Sequence, residues 1–289
     1  MKRRNFLWCS ALFMSSTVIA CSRPTAPPAA EIPALKLAIT DISGAEELEE
    51  KYEAFRAALA AALGTEVTFF PVENYTAATV ALKRGDVDLA LAGPSEYVVI
   101  KSRTNAVPIV AVTRPNYHSM IVVPASSPLS SVADLKGKTI AMSDIGSTSG
   151  HLGPTSLLLN AGLDPKTDVT VQMLGDEGSV EAIKTGKVDA WGGSAVDYAD
   201  LLKDDAGSFV VLVEGPPLPS DVIIASSNLD PAAIELIRER LLAQEGAIVS
   251  EIATHVSKYV GSTMQPALDA DYDPIRTVYQ AIGQGEFVQ

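Results

Sequence analysis

Lys83-Arg84-Gly85-Asp86-Val87-Asp88 recurs 101 residues later as Lys184-Thr185-Gly186-Lys187-Val188-Asp189. Each copy closes an apolar helical stretch, residues 77–82 in the first and 180–183 in the second. Each puts glycine where a helix C-cap needs a left-handed residue. A strand-like run follows, 87–92 or 188–191, and each run stops at glycine (Gly93; Gly192-Gly193) beside a serine and a new helical stretch. One copy alone is an ordinary αβ turn. Two copies with the same follow-on, about a domain apart, predict two similar α/β lobes. Ligands in such sheets sit at the carboxyl ends of strands, so two facing lobes make a cleft.

Outward from the repeat, strands and helices alternate. Strands are expected at residues 35–39, 67–71, 107–113, 119–124, 139–142, 169–174, 210–213 and 222–225. Leu48, Tyr52, Phe55, Leu59 and Leu63 have helical spacing over 45–63, with Gly64 as the stop. A short helical turn is expected at 134–138 and a helix at 155–161; from Pro231 onward the chain reads as largely helical. Ile234, Ile237, Leu241, Ile248 and Ile252 would pack those last helices on the first lobe. Regular alternation implies largely parallel sheets.

Lys2-Arg3-Arg4, an apolar run over 6–20 and the ending Val18-Ile19-Ala20-Cys21 resemble the signal and lipobox of bacterial lipoproteins. On that resemblance residues 1–20 are removed and Cys21 carries the lipid anchor. The alternative is an ordinary cleaved signal with an incidental cysteine. Residues 21–33 read as a Pro/Ala tether. Cys9 falls in the removed segment, so the mature chain has one thiol and no internal disulfide. Removing residues 1–20 leaves 19 basic residues against 35 acidic ones, a balance of −16. That balance argues against nucleic acid, whose binding requires phosphate neutralisation. It also makes a small anion an awkward ligand unless local donors overcome the field.

Ser147-Thr148-Ser149-Gly150 follows a strand and opens a helix. Three hydroxyls and free N–H groups at a helix start form an anion cradle, although one serine there would be a plain N-cap. No Gly-Lys-Ser/Thr follows, so nucleotide hydrolysis has little support. No metal cluster or catalytic triad has plausible spacing; no enzyme activity, metal or cofactor is expected. His151 follows the hydroxyl loop and reads as a helix-surface residue, the alternative being that it leans toward the ligand; His255 reads as helix-surface and Tyr97 as core.

The stretch from Tyr75 through Lys83-Arg84-Gly85-Asp86-Val87-Asp88 to Gly93-Pro94 resembles the phosphate/phosphite/phosphonate-binding subunits of ABC importers. Pro115-Asn116-Tyr117-His118-Ser119 is similar to that family's tyrosine-bearing crossover, Ser147-Thr148-Ser149-Gly150 to its phosphonyl-binding loop, and Pro217-Leu218-Pro219-Ser220-Asp221 to its return crossover. Resemblance runs over roughly residues 35–242.

The resemblance implies a type II periplasmic binding protein: two lobes, two mixed or parallel sheets flanked by helices, and a ligand cleft closing about a hinge. Lobe 1 would be 34–114 plus 222–289 and lobe 2 would be 115–221, with crossovers near 113–119 and 213–222. It implies that Ser147, Thr148 and Ser149 hold the oxyanion, that Tyr75 and Tyr117 reach in (or are rim aromatics), and that Ser95 is a further donor. Asp221 would accept from a protonated oxygen or an amine.

One position departs from the family. Many relatives have Gly-His where this chain has Gly175-Asp176, and an ionised Asp only accepts. Either the ligand is protonated there, or it carries a cation, or Asp176 points away, or the ligand is not a phosphonate. Asp197 is placed near the family's amine-contacting acid. The sequence therefore predicts an extracytoplasmic lipoprotein that buries a small oxyanion among neutral donors and delivers it to an ABC permease and its ATPase. It would be a monomer, held to the membrane at Cys21. A binding protein for another solute, or a sensor module, is the alternative.

Overall fold

A computed structural model describes residues 31–42, 44–202 and 207–289, apart from the side chains of Tyr75 and Leu201. Cys21, the expected signal and most of the expected tether lie outside the described residues.

The first half runs β1 (Leu35–Ile39), α1 (Ala45–Leu63), β2 (Val67–Phe69), α2 (Tyr75–Arg84), β3 (Leu89–Ala92), α3 (Pro94–Thr104) and β4 (Val107–Val112). The chain then enters a second sheet with β5 (His118–Pro124), β6 (Thr139–Met142), α4 (Gly153–Asn160), β7 (Thr170–Met173), α5 (Gly175–Lys184), β8 (Ala190–Ser194), α6 (Ala195–Leu201) and β9 (Phe209–Pro217). It returns through β10 (Asp221–Ala225), α7 (Pro231–Ala243), α8 (Glu245–His255), β11 (Met264–Pro266) and α9 (Asp273–Ala281).

The sheets are ordered β11-β4-β10-β3-β1-β2 and β7-β6-β8-β5-β9. From β2 inward, β2-β1-β3 are parallel and β10 is antiparallel; from β7 inward, β7-β6-β8 are parallel and β5 is antiparallel. The duplicated hexapeptide lies at the α2–β3 and α5–β8 joints, the same place in each sheet. Gly85 and Gly186 both take left-handed conformations there, φ 78° and 67°, as the turn requires. Both sheets are mixed rather than wholly parallel, because the strands that return from the other lobe enter in the opposite direction.

α1 packs the expected face, with Leu48, Tyr52, Phe55, Leu59 and Leu63 all buried. It shares a core with β1, β3, β4 and the buried Ile234, Ile237, Leu241, Ile248 and Ile252 of α7 and α8. The opposite face of that sheet is covered by α2, α3 and α9. Tyr97 is wholly buried there, its hydroxyl donating to Asp269 Oδ1 at 2.6 Å. The second sheet is likewise covered on both faces.

Boundaries differ where packing overrides local signals. β8 runs through Gly192 and Gly193 instead of stopping there. A Cβ on Gly192 would come within 2.7 Å of Pro154, and one on Gly193 within 1.9 Å of Trp191. These glycines serve close approach of neighbours, not termination. The expected 169–174 strand is trimmed to four residues and Asp176 falls in the first turn of α5. The 210–213 strand is longer, nine residues, because it pairs along β5.

Two short segments join the sheets: 113–117 from β4 to β5, and 218–220 from β9 to β10. They touch each other, the Leu218 N–H donating to the Tyr117 carbonyl at 2.9 Å.

Candidate ligand site between the lobes

A cavity of about 570 Å³ opens between the two sheets, at the carboxyl ends of strands from both. Thr40 and Asp41 reach it from the end of β1, and Gly93, Ser95 and Glu96 from the end of β3. The segment from Ser143 to Ser149 reaches it after β6, Asp176 after β7, and Val196 and Asp197 after β8. Arg114, Tyr117 and Asp221 enter from the two connecting segments, and Lys258 from the turn after α8.

The hydroxyl loop is shaped by Ser147, which caps the turn by accepting the Gly150 N–H at 3.2 Å. Residues Thr148–Leu152 form one π-helical turn that runs into α4. The first N–H groups of such a turn have no intrahelical acceptor, and Thr148 and Ser149, which begin it, both line the cavity. Gly150 permits the loop's tight approach: a Cβ there would meet Ser143 Cβ at 2.3 Å. Ser119 Oγ holds the loop from below by donating to the Ser149 carbonyl at 2.9 Å.

His151 is a correction to the sequence reading. It is buried, not on the helix surface. Its Nδ1 accepts the Gly146 N–H at 3.0 Å, so the ring pins the loop's entry from beneath. Burial lowers its pKa. His255 is exposed, as expected.

Eight of the nine expected ligand residues line this one cavity: Ser95, Tyr117, Ser147, Thr148, Ser149, Asp176, Asp197 and Asp221. Tyr75 opens α2, and its side chain lies outside the described residues. Tyr117 is buried, which raises its pKa, and its phenol lies beside the Ser149 and Thr148 hydroxyls. Ser95 and Thr148 meet across the cleft. Asp221 is buried and accepts the Tyr259 hydroxyl through Oδ2 at 2.7 Å.

On the second lobe, Asp176 Oδ1 accepts Ser143 Oγ at 2.5 Å and Asp197 Oδ2 accepts Ser194 Oγ at 2.6 Å. Burial raises the Asp197 pKa, and the charge on Asp176 raises it further. The two carboxylates therefore feel each other, and neither carries an ion pair to a described residue.

The expectation of neutral donors alone does not hold. Arg114 and Lys258 line the cavity, together with eight carboxyl groups. Lys258 Nζ bonds to Asp41 and lies 3.4 Å from Asp221 Oδ2. Burial works to raise the Asp41 pKa, but the Lys258 ammonium overcomes it and holds that carboxylate low. Glu96 closes the floor, accepting the Gly93 N–H at 2.8 Å and the Thr40 hydroxyl. Burial, helped by the Asp41 charge, pushes its pKa up to about 7. Arg114 precedes the Pro-Asn-Tyr crossover motif and was visible there as a lone cation. Lys258 lies 217 residues from Asp41, with no local pattern to announce it.

Among the described residues no group of histidine, cysteine and acidic side chains is placed to hold a metal ion, and no helix is long and apolar enough to cross a membrane.

Residues 37–272 match the family model for the phosphonate periplasmic substrate-binding protein of ABC transporters. The chain is 27% identical to the phosphate-import protein PhnD of Mycolicibacterium smegmatis, over 95% of this chain and 94% of that one. Its fold is similar to that of PhnD1 from Prochlorococcus marinus, solved with methylphosphonate: TM-score 0.69, 19% identity, 87% of this chain and 98% of the other. It is also similar to a binding-protein component of an ABC phosphonate transporter from Pseudomonas aeruginosa: TM-score 0.67, 20% identity, 89% and 88% covered. With hydroxyl loop, crossover tyrosine and two-sheet cleft in one place, the chain belongs to the phosphonate-binding family of type II periplasmic binding proteins, the periplasmic substrate-binding components of ABC phosphonate transporters.

Proposed function

We propose that this protein binds a phosphonate- or phosphite-like oxyanion in the cavity between its lobes, closes on it, and delivers it to an ABC permease. The observation that carries the reading is the loop at residues 147–149, which lines the cavity with its three hydroxyls, meets Ser95 of the other lobe and lies beside the Tyr117 phenol of the connector. A tetrahedral anion there accepts from several donors at once, with the positive end of the helical turn behind it. Segments 34–114 plus 222–289 and 115–221 act as the moving lobes, with the two connectors as hinge. Residues 1–20 are the leader and Cys21 the anchor, which places a monomeric binding protein beside its permease.

A specific observation favours an amine-bearing phosphonate within that class. Asp176 and Asp197 stand together on the second lobe and neither makes an ion pair with a described residue, a placement that suits an ammonium group. A solute without phosphorus, or a sensor role, is the competing reading.

A thermal-shift screen tests this with phosphate, phosphite, methylphosphonate, 2-aminoethylphosphonate, sulfate, molybdate and amino acids. A ligand at 100 times its Kd adds about 2.7 kcal/mol of stability. Shifts confined to phosphorus compounds, and lost in Ser147→Ala/Thr148→Ala, are expected. A shift with sulfate or an amino acid alone would replace the reading.

A further inference from the structure

Of the two cations in the cavity, only one is spent. Lys258 is held between Asp41 and Asp221. Arg114 is not held in that way. Its side chain is 13% exposed, yet Nε is buried without a hydrogen-bond partner. Asp221 Oδ1 stands 3.6 Å from Nη1, beyond hydrogen-bonding distance, and is itself unpartnered. A guanidinium is charged at every working pH and offers five N–H donors in a rigid fork. The ion pair of Arg114 with Asp221 makes no hydrogen bond, and a buried N–H donor left without an acceptor is costly, so the fork has donors to give to a ligand.

The geometry says where that acceptor belongs. The guanidinium carbon lies 3.7 Å from the centroid of the Tyr117 ring, a stack that sets the plane of the fork. The same tyrosine carries its phenol to Ser149 and Thr148, so one residue links fork and hydroxyl loop. Arg114 also acts electrostatically on Asp197 across the cleft, so its charge is felt on the far wall.

Building on the oxyanion reading, we propose that Arg114 is the charged ligand residue and sets the site's preference for anions. Its N–H groups grip oxygens of the tetrahedral head while the loop donors take the others. The fork matches paired oxygens in a way an ammonium does not. Without it, the carboxylates of the cavity would repel the ligand. Arg114 sits on the first connector and Asp221 opens β10 where the second one ends, so an anion that takes over the fork also changes the charge contact between these two positions.

The test is calorimetric titration of wild type, Arg114→Gln and Arg114→Lys with inorganic phosphate and methylphosphonate, with melting temperatures of the ligand-free proteins. Arg114→Gln should weaken any phosphorus ligand that wild type binds by about 10- to 100-fold, the range for losing a charged hydrogen-bond partner. Arg114→Lys should fall between, keeping charge but losing the fork. The ligand-free Arg114→Gln protein should melt no lower than wild type, since the buried charge is underpaired. A purely structural Arg114 predicts the reverse: a lower melting temperature and little change in affinity.

Binding within twofold of wild type in Arg114→Gln overturns the proposal and leaves the oxyanion reading intact. No binding by wild type of phosphate, of methylphosphonate or of 2-aminoethylphosphonate titrated beside them overturns both. If Arg114→Gln fails to fold, the wild-type protein decides by NMR. The Arg114 Nε–H signal, assigned by its loss in Arg114→Lys, moves downfield with saturating phosphate on the proposal. A signal that does not move sinks it.

Discussion

The Ser95 N–H donates to Thr148 Oγ1 at 3.0 Å, and the Thr148 hydroxyl returns a bond to Ser95 Oγ at 2.9 Å. The two residues are 53 positions apart and belong to different sheets. Both are buried. Two candidate ligand groups therefore bridge the cleft as a reciprocal pair. A pair of this kind should favour closure independently of the anion.

Thr148→Val keeps the shape and removes both bonds. It should cost closure about 1–3 kcal/mol, the range for leaving buried partners unsatisfied. Small-angle scattering should show a larger ligand-free radius of gyration for Thr148→Val than for wild type. Equal radii would mean that the pair does not govern closure.

Glu96 makes stability depend on pH in a direction opposite to that of most carboxylates. Its folded pKa is raised to about 7 by burial, against about 4.3 unfolded. The native state thus binds more protons between these values, and stability falls as pH rises through that window. The full contribution is present below about pH 4 and lost above about pH 7, about 4 kcal/mol at most. Glu96→Gln should flatten this part of the curve in denaturant titrations from pH 5 to 8. An unchanged slope would remove Glu96 as its source.

The duplicated hexapeptide carried most of the fold, because a left-handed glycine between an apolar helix and an apolar strand is a local requirement that sequence displays. The hydroxyl loop was legible for the same reason: capping chemistry is local. What stayed hidden depends on contacts between distant segments. The meeting of Lys258 with Asp41 and Asp221 arises from the turn after α8 folding back beside β1 and β10. Glu96 looks like an ordinary third-position helix acid, as its bond to the Gly93 N–H shows. Only the closing of the cleft over it shifts its pKa. The burial of His151 is of the same kind: it lies in the π-helical turn before α4, and the chain at Gly146 folds back to donate to its ring, a contact that no local pattern displays.

His151 should couple acid pH to loss of the ligand loop. Its pKa is lowered by burial, so the native state binds fewer protons than the unfolded one below the ordinary histidine value. Stability therefore falls as pH drops through about 6.5 towards the lowered folded value. Protonation also removes the Nδ1 acceptor from the Gly146 N–H. His151→Phe lacks that acceptor at every pH. It should lose about 1–3 kcal/mol at neutral pH and show a weaker acid-side decline than wild type. An acid decline as steep as that of wild type would exclude His151 as its origin.

Asp176 and Asp197 give the sharpest statement about the ligand. Each accepts a serine hydroxyl, from Ser143 and Ser194, and each keeps acceptor capacity towards the cavity. A carboxylate beside a phosphonate oxyanion is repulsive by about 1–4 kcal/mol at contact distance, whereas an ammonium there is attracted by a similar amount. Asp176→Asn should therefore tighten methylphosphonate binding and weaken 2-aminoethylphosphonate binding, each by roughly tenfold for about 1.4 kcal/mol. The crossing of the two affinities separates a charge effect from general damage, which would weaken both. If Asp176→Asn weakens both ligands equally, the carboxylate supports the Ser143 wall and does not read the ligand's charge.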